Sequence, residues 1–209
     1  MAGWERHEGV AVSLPLEGID TDQLIPARFM SAPRSAGYGG FLLHDMRFDP
    51  DGALRPEMVL NRHPEASVLV ARRNFGSGSS REAAVYALAD FGIRAVIAPS
   101  FGDIFAANAV NNGLLPAQVS PDAVERLIAA LNGGAAPARI DLAVGTVTIA
   151  GQAIDFALDA IWKRKLINGW DDIDLTASHR AEIAGFADRR RRAAPWVWPA
   201  RDVREPRAE

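Results

Sequence analysis

Short apolar runs alternate with longer amphipathic stretches through the middle of the chain. Three runs have the β-branched, continuously apolar character of buried strands: SVLVA (67–71), RAVIAPS (94–100) and GLLPAQV (113–119). Two stretches between them contain helix formers and end in glycine or Asn-Asn-Gly: SREAAVYALADFG (80–92) and FGDIFAANAVNNG (101–113). This alternation predicts α/β units with parallel strands.

The flanking regions predict a different kind of pairing. GVAVSLPL (9–16) alternates as a strand does, and Pro15 places it at a sheet edge or marks its end. Ser120 and Pro121 are typical of the N-cap and first position of a helix. Residues 138–158 alternate and are interrupted by glycines, which predicts short antiparallel strands. A helical C-terminal extension is expected from about 158.

The segment from about 17 to 66 has no such pattern. It is rich in Gly, Pro, Asp and Arg, and its centre, SAPRSAGYGGF (31–41), lacks periodicity. Long loops of this kind in compact domains are commonly functional or mobile, so a mobile loop is expected near 28–45. A lid that orders on substrate binding and a plain mobile loop are both open interpretations.

Composition narrows the classes of function. The 209 residues are 48% hydrophobic and 23% charged, with a net charge of −3, which gives no general attraction to nucleic acid. The arginine run at 188–194 is therefore interpreted as a solvated helix face or a partner contact. No apolar run is long enough to span a membrane, and the first ten residues lack the core of a signal peptide, so a cytoplasmic protein is expected.

Metal chemistry within this chain is not predicted. The sequence contains no cysteine, which excludes disulfides, a thiol nucleophile and an iron–sulfur cluster held by this chain alone. Its four histidines are not spaced to share one helix face, so no local metal site is encoded.

The junction ARRNFGSGSSREAA (71–84) carries the strongest chemical signal. Ser79 and Glu82 have the spacing of a capping box, which predicts Ser79 as the N-cap of the following helix. Gly76 and Gly78 allow a tight turn and close approach of a ligand. Arg81 adds a cation that can grip a carboxylate. Local chemistry leaves two interpretations open: an anion site beside a hydroxyl, or a capped helix after a glycine turn.

Several motifs together resemble a known family. NFGSGSSREAA and IAPSFGDIFAANAVNNGLLP, together with GIDTDQLIPARFM (18–30) and GYGGFLLHDMRF, resemble the aconitase swivelling domain, and most closely the small subunits of isopropylmalate dehydratases. The resemblance covers roughly residues 9–180. It implies an α/β fold over 1–209: one three-layer β/β/α swivelling domain with a mixed sheet and flanking helices. It also implies a heterodimer with a large subunit that supplies a 4Fe-4S cluster, and no cofactor in this chain.

The resemblance also implies residue roles. Ser79 matches the base that removes a proton next to a carboxylate, while Ser80 and Arg81 match residues that hold substrate carboxylates. Asp22 matches an aspartate that orients a histidine of the partner chain, although the Asp-Thr-Asp sequence is also typical of a loop-capping turn. A further substrate arginine is placed at Arg28, with Arg34 as the other candidate.

The implied activity is that of a hydro-lyase of leucine biosynthesis. It would interconvert 2-isopropylmalate and 3-isopropylmalate by dehydration and rehydration, with the partner's cluster acting as a Lewis acid. The alternatives are a related hydro-lyase acting on a citraconate or dimethylmalate type of acid, or a non-catalytic assembly module. The sequence departs from the family at Ser77, where cysteine is usual, and at Ala83, where histidine is usual, which leaves the substrate less defined than the reaction.

Overall fold

One mixed sheet of seven strands organises the structure, a computed structural model that describes residues 2–79 and 81–198. The strands are β1 (Arg6–Leu14), β2 (Ala66–Ala71), β3 (Ala95–Ala98), β4 (Leu115–Gln118), β5 (Ala135–Asp141), β6 (Thr146–Ile149) and β7 (Gln152–Asp155). Their order across the sheet is β4-β3-β2-β1-β5-β6-β7. β1 to β4 are parallel, and β5 pairs antiparallel with β1 and starts the meander to β7. The predicted mixed sheet with parallel and antiparallel parts is confirmed.

The described residues also form helices. They are α1 (Thr21–Leu24), α2 (His44–Arg47), α3 (Val59–Arg62), α4 (Glu82–Phe91), α5 (Asp103–Asn111), α6 (Pro121–Leu131), α7 (Ala160–Asn168), α8 (Asp172–Ala177) and α9 (Arg180–Ala193). Ser120 caps α6 by accepting a hydrogen bond from the Ala123 N–H, with Pro121 at the first turn, as predicted. The chain divides into two compact units between Asp171 and Asp172, so the second unit contains α8 and α9.

β2 and β3 are almost entirely apolar because both faces of the sheet are covered there. Val68, Leu69 and Val70 of β2 all have no exposed surface. Leu69 belongs to one buried cluster, with side chains of α1, α4 and the segment before β2. Val68 and Val70 point to the other face and join a second cluster with α6, α7 and the antiparallel strands. A strand buried on both faces has no polar face, which explains the continuous runs in the sequence.

β1 lies in the middle of the sheet and not at its edge. It pairs with β2 on one side and with β5 on the other. The edge interpretation of Pro15 is therefore wrong, whereas the strand-end interpretation is confirmed because β1 stops at Leu14. Proline has no N–H to donate to a ladder, so it terminates pairing here.

The segment between β1 and β2 contains short helical turns. Besides α1, α2 and α3, it forms 3-10 turns at Ala27–Phe29, Arg34–Ala36 and Gly39–Phe41. Leu24, Leu42 and Leu43 have no exposed surface and belong to the first core cluster. Elements of three or four residues are too short to repeat a 3.6-residue period, so the sequence pattern did not reveal them.

Candidate functional site

A glycine- and serine-rich segment follows β2 and lies between the segments that follow β1 and β3. We call residues 76–81 the serine loop; Ser80, predicted to bind substrate, lies outside the described residues. On one side, the Gly76 N–H donates to the Ile19 carbonyl at 2.7 Å. On the other side, the Gly102 N–H donates to the Phe75 carbonyl at 2.9 Å. The loop is therefore fixed at the carboxyl ends of three parallel strands, where open α/β sheets commonly bind ligands.

Close packing at this point requires glycine. Gly76 has φ +70°, and a Cβ atom there would lie 2.2 Å from the Phe105 ring. A Cβ atom on Gly102 would lie 2.6 Å from the Gly76 carbonyl oxygen. These two glycines let the serine loop pack directly against the first turn of α5, so the first turn of that helix becomes part of the site.

A cavity of about 260 Å³ opens between these elements. Its lining residues come from α1, the serine loop and the start of α5: Thr21, Gly76, Ser77, Gly78, Ser79, Arg81, Gly102, Asp103, Ile104 and Phe105. Ser79 and Arg81, two of the predicted site residues, thus share one cavity. The amino end of α5 presents backbone N–H groups without intrahelical partners, which favours a bound anion.

Arg81, on the cavity wall, pairs with Asp22 of α1. The Arg81 Nη1 group donates to Asp22 Oδ1, and the Arg81 side chain is 18% exposed against 53% for Asp22. The structure therefore brings together two residues that are 59 positions apart in the sequence. The exposed Asp22 carboxylate holds the guanidinium that we expect to bind an anionic ligand.

The predicted N-cap role of Ser79 is wrong. α4 begins at Glu82, and the residue at its N-cap is Arg81, which is extended at φ −129° and ψ 104° and makes no side-chain capping bond. The Ser79 carbonyl accepts a hydrogen bond from Thr21, so this part of the loop is held toward α1. A capping box does occur nearby, at Asp20 and Gln23 of α1. Gly92 ends α4 in the left-handed conformation, as predicted.

Thr21 was not identified from the sequence. It is 2% exposed, and its N–H donates to the Ser77 carbonyl at 2.9 Å. Its hydroxyl donates to the Ser79 carbonyl at 2.7 Å. Thr21 and Ser79 are 58 positions apart, so no local sequence pattern connects them. The Asp-Thr-Asp motif is the one sequence feature that pointed to this segment.

The predicted Arg28 is not among the residues that line the cavity. It lies in the 3-10 turn Ala27–Phe29, its guanidinium pairs with Asp45, and its Cζ atom is 4.5 Å from the Phe29 ring centroid. The hydrogen bond from Arg28 lowers the pKa of the Asp45 carboxyl. Arg34, the other candidate, pairs with Asp90 of α4. Both arginines are engaged with the protein away from the cavity walls.

The family departures differ in where they lie. Ser77 lines the cavity and Ala83 does not, so the former is the one that changes the shape and polarity of the site wall. A larger cleft, of about 640 Å³, lies beside β4 and α7 and shares Asp103 with the cavity. It also contains Asp159 and no basic residue, so its walls do not favour a dicarboxylate.

The described residues hold no group of three or more His, Asp or Glu side chains arranged for a metal ion. The sequence has no cysteine, so its donor atoms do not fit the iron–sulfur cluster that the family resemblance implies. In residues 2–79 and 81–198 we also find no helix with the length and apolar character needed to cross a bilayer.

Comparison with known proteins agrees with the fold. A family model described as the aconitase C-terminal domain matches residues 1–122, and the chain belongs to that family. The predicted fold class is thereby confirmed.

Within the family, the chain is similar to small subunits of 3-isopropylmalate dehydratase. It is 43% identical to the one from Rhodospirillum centenum over 193 residues, 90% of this chain and 95% of the relative. It is 45% identical to the one from Cereibacter sphaeroides over 201 residues, 94% of this chain and 100% of the relative. A crystal structure of 3-isopropylmalate dehydratase (leuD) from Methanocaldococcus jannaschii superposes with a TM-score of 0.62 at 26% identity, covering 86% of this chain and 98% of that one.

Proposed function

We propose that this chain is the small subunit of a 3-isopropylmalate dehydratase, a hydro-lyase of leucine biosynthesis that interconverts 2-isopropylmalate and 3-isopropylmalate. The observation that carries the proposal is the cavity at the carboxyl ends of the parallel strands, which has Ser79 and Arg81 on its walls. The names of the relatives indicate the reaction. In this proposal, Ser79 and Arg81 are the two functional groups that the small subunit contributes to the reaction.

Arg81 and Ser79 have complementary tasks in this proposal. The Arg81 guanidinium donates two parallel hydrogen bonds to one substrate carboxylate and so fixes the neighbouring carbon. The Ser79 hydroxyl oxygen, in its deprotonated form, takes the proton from that carbon. The substrate hydroxyl on the adjacent carbon takes a second proton from an acid of the partner chain and leaves as water, which gives isopropylmaleate. Addition of water in the opposite sense, with the proton returned to the other carbon, gives the isomer.

A serine oxygen is a weak base unless its deprotonated form is stabilised. The cationic Arg81 and the amino end of α5 both line the cavity that Ser79 enters. Positive charge and oriented N–H groups stabilise an alkoxide, and this effect increases when substrate and a second chain exclude water. Removing one of these groups should therefore weaken the base as well as substrate binding.

The proposal also includes Asp22, Ser80 and Arg28, and each of these assignments rests on a different observation. Asp22 is half exposed, so its carboxylate is accessible to a histidine of a second chain. Ser80 is assigned to a substrate carboxylate from its place in the sequence motif. Arg28 would have to release Asp45 before it could reach a substrate.

A partner chain completes the proposed enzyme. The relatives are named small subunits, which implies a large subunit. We extend this to a heterodimer that acts in the cytoplasm and in which the large subunit holds the 4Fe-4S cluster. The lack of cysteine in this chain supports that division.

The test is to co-express this chain with the large subunit and to follow isopropylmaleate by its ultraviolet absorbance. The complex should be active and either chain alone inactive; turnover by this chain alone would contradict the two-chain proposal. Assays with citraconate and dimethylmalate distinguish the related hydro-lyases, which Ser77 makes relevant. A complex that turns over none of these acids would favour the non-catalytic assembly module.

Ser79→Ala in the same complex tests the base. We expect turnover to fall at least a hundredfold while substrate binding is retained, because Arg81 is unchanged. Thr148→Val, a hydroxyl deletion on β6 of the same compact unit, serves as the control and should leave turnover unchanged, because Thr148 does not line the cavity. If Ser79→Ala keeps turnover within tenfold, about 1.4 kcal/mol on the barrier, Ser79 is not the base.

A further inference from the structure

Thr21 holds the serine loop at two points and has no assigned role. We infer that Thr21 is a positioning residue, which fixes the backbone that carries Ser79 and so sets where the serine hydroxyl lies in the cavity. This inference rests on the proposed function, because it assumes that Ser79 reacts.

Thr21 forms hydrogen bonds to two residues of the serine loop, Ser77 and Ser79. Its backbone N–H binds the Ser77 carbonyl at 2.9 Å, and its hydroxyl binds the Ser79 carbonyl at 2.7 Å. The next residue, Asp22, pairs with Arg81. One turn of α1 therefore contacts the serine loop at residues 77, 79 and 81, which restrains both ends of the peptide around Ser79.

α1 is itself held firmly enough to act as a fixed support. Asp20 and Gln23 form a reciprocal capping box at its start, and Leu24 in the same turn has no exposed surface. Ser79, in contrast, is exposed, so its own side chain gains little restraint from packing. The hydrogen bond from the Thr21 hydroxyl to the Ser79 carbonyl therefore acts directly on the residue that reacts.

Burial makes the hydroxyl of Thr21 hard to replace by water. At 2% exposure, its loss leaves the Ser79 carbonyl without this donor. A displacement of about 1 Å at a reacting group can reduce turnover a hundredfold. The branched side chain of threonine also restricts χ1, which keeps the donor aimed at one acceptor.

The first experiment replaces Thr21 in the two-chain complex and measures kcat and KM separately. Thr21→Val keeps the shape and removes the donor, so kcat should fall 10- to 100-fold while KM stays within threefold. Thr21→Ser restores the donor and should recover kcat to within threefold of the parent. Thr148→Val on β6 is the matched control and should change neither constant. Equal loss in Thr21→Val and Thr21→Ser, or no loss in Thr21→Val, overturns the inference.

A second measurement separates positioning from a merely stabilising role. In a Ser79→Ala complex, Thr21→Val should cause no further loss of the residual turnover, since the residue acts through Ser79; an equal additional loss would contradict this. Hydrogen exchange of the peptide spanning residues 76–82 gives a readout that does not depend on the reaction. Exchange should accelerate in Thr21→Val and not in Thr21→Ser, and unchanged exchange would contradict positioning.

The two proposals fail in different ways. If the parent complex turns over no isopropylmalate, the proposed function fails while the exchange experiment still tests whether Thr21 restrains the loop. If the parent complex is active and Thr21→Val is unchanged in both readouts, the proposed function stands and the inference about Thr21 fails.

Discussion

At the residue scale, the site depends on two glycines, which have no side chain, as much as on Ser79 and Arg81. Gly76 and Gly102 let two backbone segments meet at a distance that any Cβ atom would prevent. This contact brings the first turn of α5 against the serine loop and forms the cavity wall. The glycines of the motif are thus structural requirements for the chemistry of Ser79 and Arg81.

Gly76→Ala should destabilise the fold strongly. The substituted Cβ would collide with the Phe105 ring, and alanine disfavours φ +70°, so we expect a loss of about 2–4 kcal/mol in the free energy of unfolding. Gly52→Ala is the matched control because Gly52 has φ +83° and open space around its Cβ position. Gly52→Ala should lower the free energy of unfolding by about 1 kcal/mol. Urea titrations of both variants measure the two losses. Equal losses at both positions would show that packing against Phe105 is unimportant.

Arg81→Lys should separate charge from geometry. Lysine keeps the positive charge and loses the planar fork that binds a carboxylate at two points, so KM for isopropylmalate should rise at least tenfold. Arg73→Lys is the control, since Arg73 precedes the serine loop and pairs with Glu17 on the surface. An unchanged KM in Arg81→Lys would remove Arg81 from the substrate site.

The sequence predicts some of these residues and not others for a physical reason. Ser79 and Arg81 stand in one local motif, whose spacing favours an anion site or a capped helix, and the family resemblance implies their roles. Thr21 and Gly102 lie on segments that follow other strands, and their contacts exist only after β1, β2 and β3 have paired. Such long-range contacts leave no periodic signal.

At the element scale, the start of α4 shows how tertiary contacts override a local pattern. Ser79 and Glu82 have capping-box spacing, but the backbone at Arg81 is extended and the Ser79 carbonyl is bound by Thr21. The same kind of box is used at Asp20 and Gln23, where the helix that it starts is only one turn long. The capping box predicted at Ser79 and Glu82 is therefore wrong, and the one at Asp20 and Gln23 was not predicted.

The segment before β2 is attached to α4 by charge as well as by apolar packing. The Arg34 guanidinium and the Tyr38 N–H both donate to Asp90 Oδ2, and the Arg34 Cζ atom lies 4.2 Å from the Tyr86 ring centroid. Burial acts to raise the pKa of Asp90, but the hydrogen bonds from Arg34 and Tyr38 outweigh it and lower that pKa. The expected mobility near 28–45 stays a prediction, and this attachment is what would have to break.

Asp90→Asn tests this attachment through pH. Because the folded pKa lies below the reference value of 3.8, the ionised carboxyl stabilises the fold above that pH, and this contribution is lost as pH falls through the folded pKa. The free energy of unfolding of the parent should exceed that of Asp90→Asn by about 1 kcal/mol at pH 7, and this difference should shrink below about pH 4. Urea titrations from pH 3 to 7 measure it. When Arg34→Gln is also present, the stability difference between Asp90 and Asp90→Asn should mostly disappear. A stability difference that does not change with pH would contradict this explanation.

At the scale of the whole molecule, apolar runs indicate which segments are buried strands but not the order of the strands across the sheet. The parallel runs could be identified because complete burial leaves no polar positions in them. The central place of β1 could not, since its partner β5 is more than a hundred residues later and antiparallel. Strand character is encoded locally, whereas the neighbours of a strand depend on the whole chain.

The division after Asp171 gives the last prediction. Both core clusters draw all their members, among the described residues, from positions up to Ile167, and none of the described residues of α8 and α9 is buried. A chain ending at Asp171 should therefore keep one cooperative thermal transition, with Tm within about 5 °C of the full chain.

A second truncation, ending at Asp159, is the matched comparison. It also removes α7, which contributes the fully buried Leu166 to the second cluster. The Leu166 carbonyl accepts a hydrogen bond from the Trp4 backbone N–H at 3.1 Å. Loss of a buried leucine alone costs about 2–5 kcal/mol, which corresponds to a fall in Tm of about 5–15 °C for a chain of this size. Circular dichroism melts of the two truncations measure the contrast. Equal melting temperatures would mean that α7 contributes nothing to the core, and early melting of both would place stabilising contacts beyond Asp171.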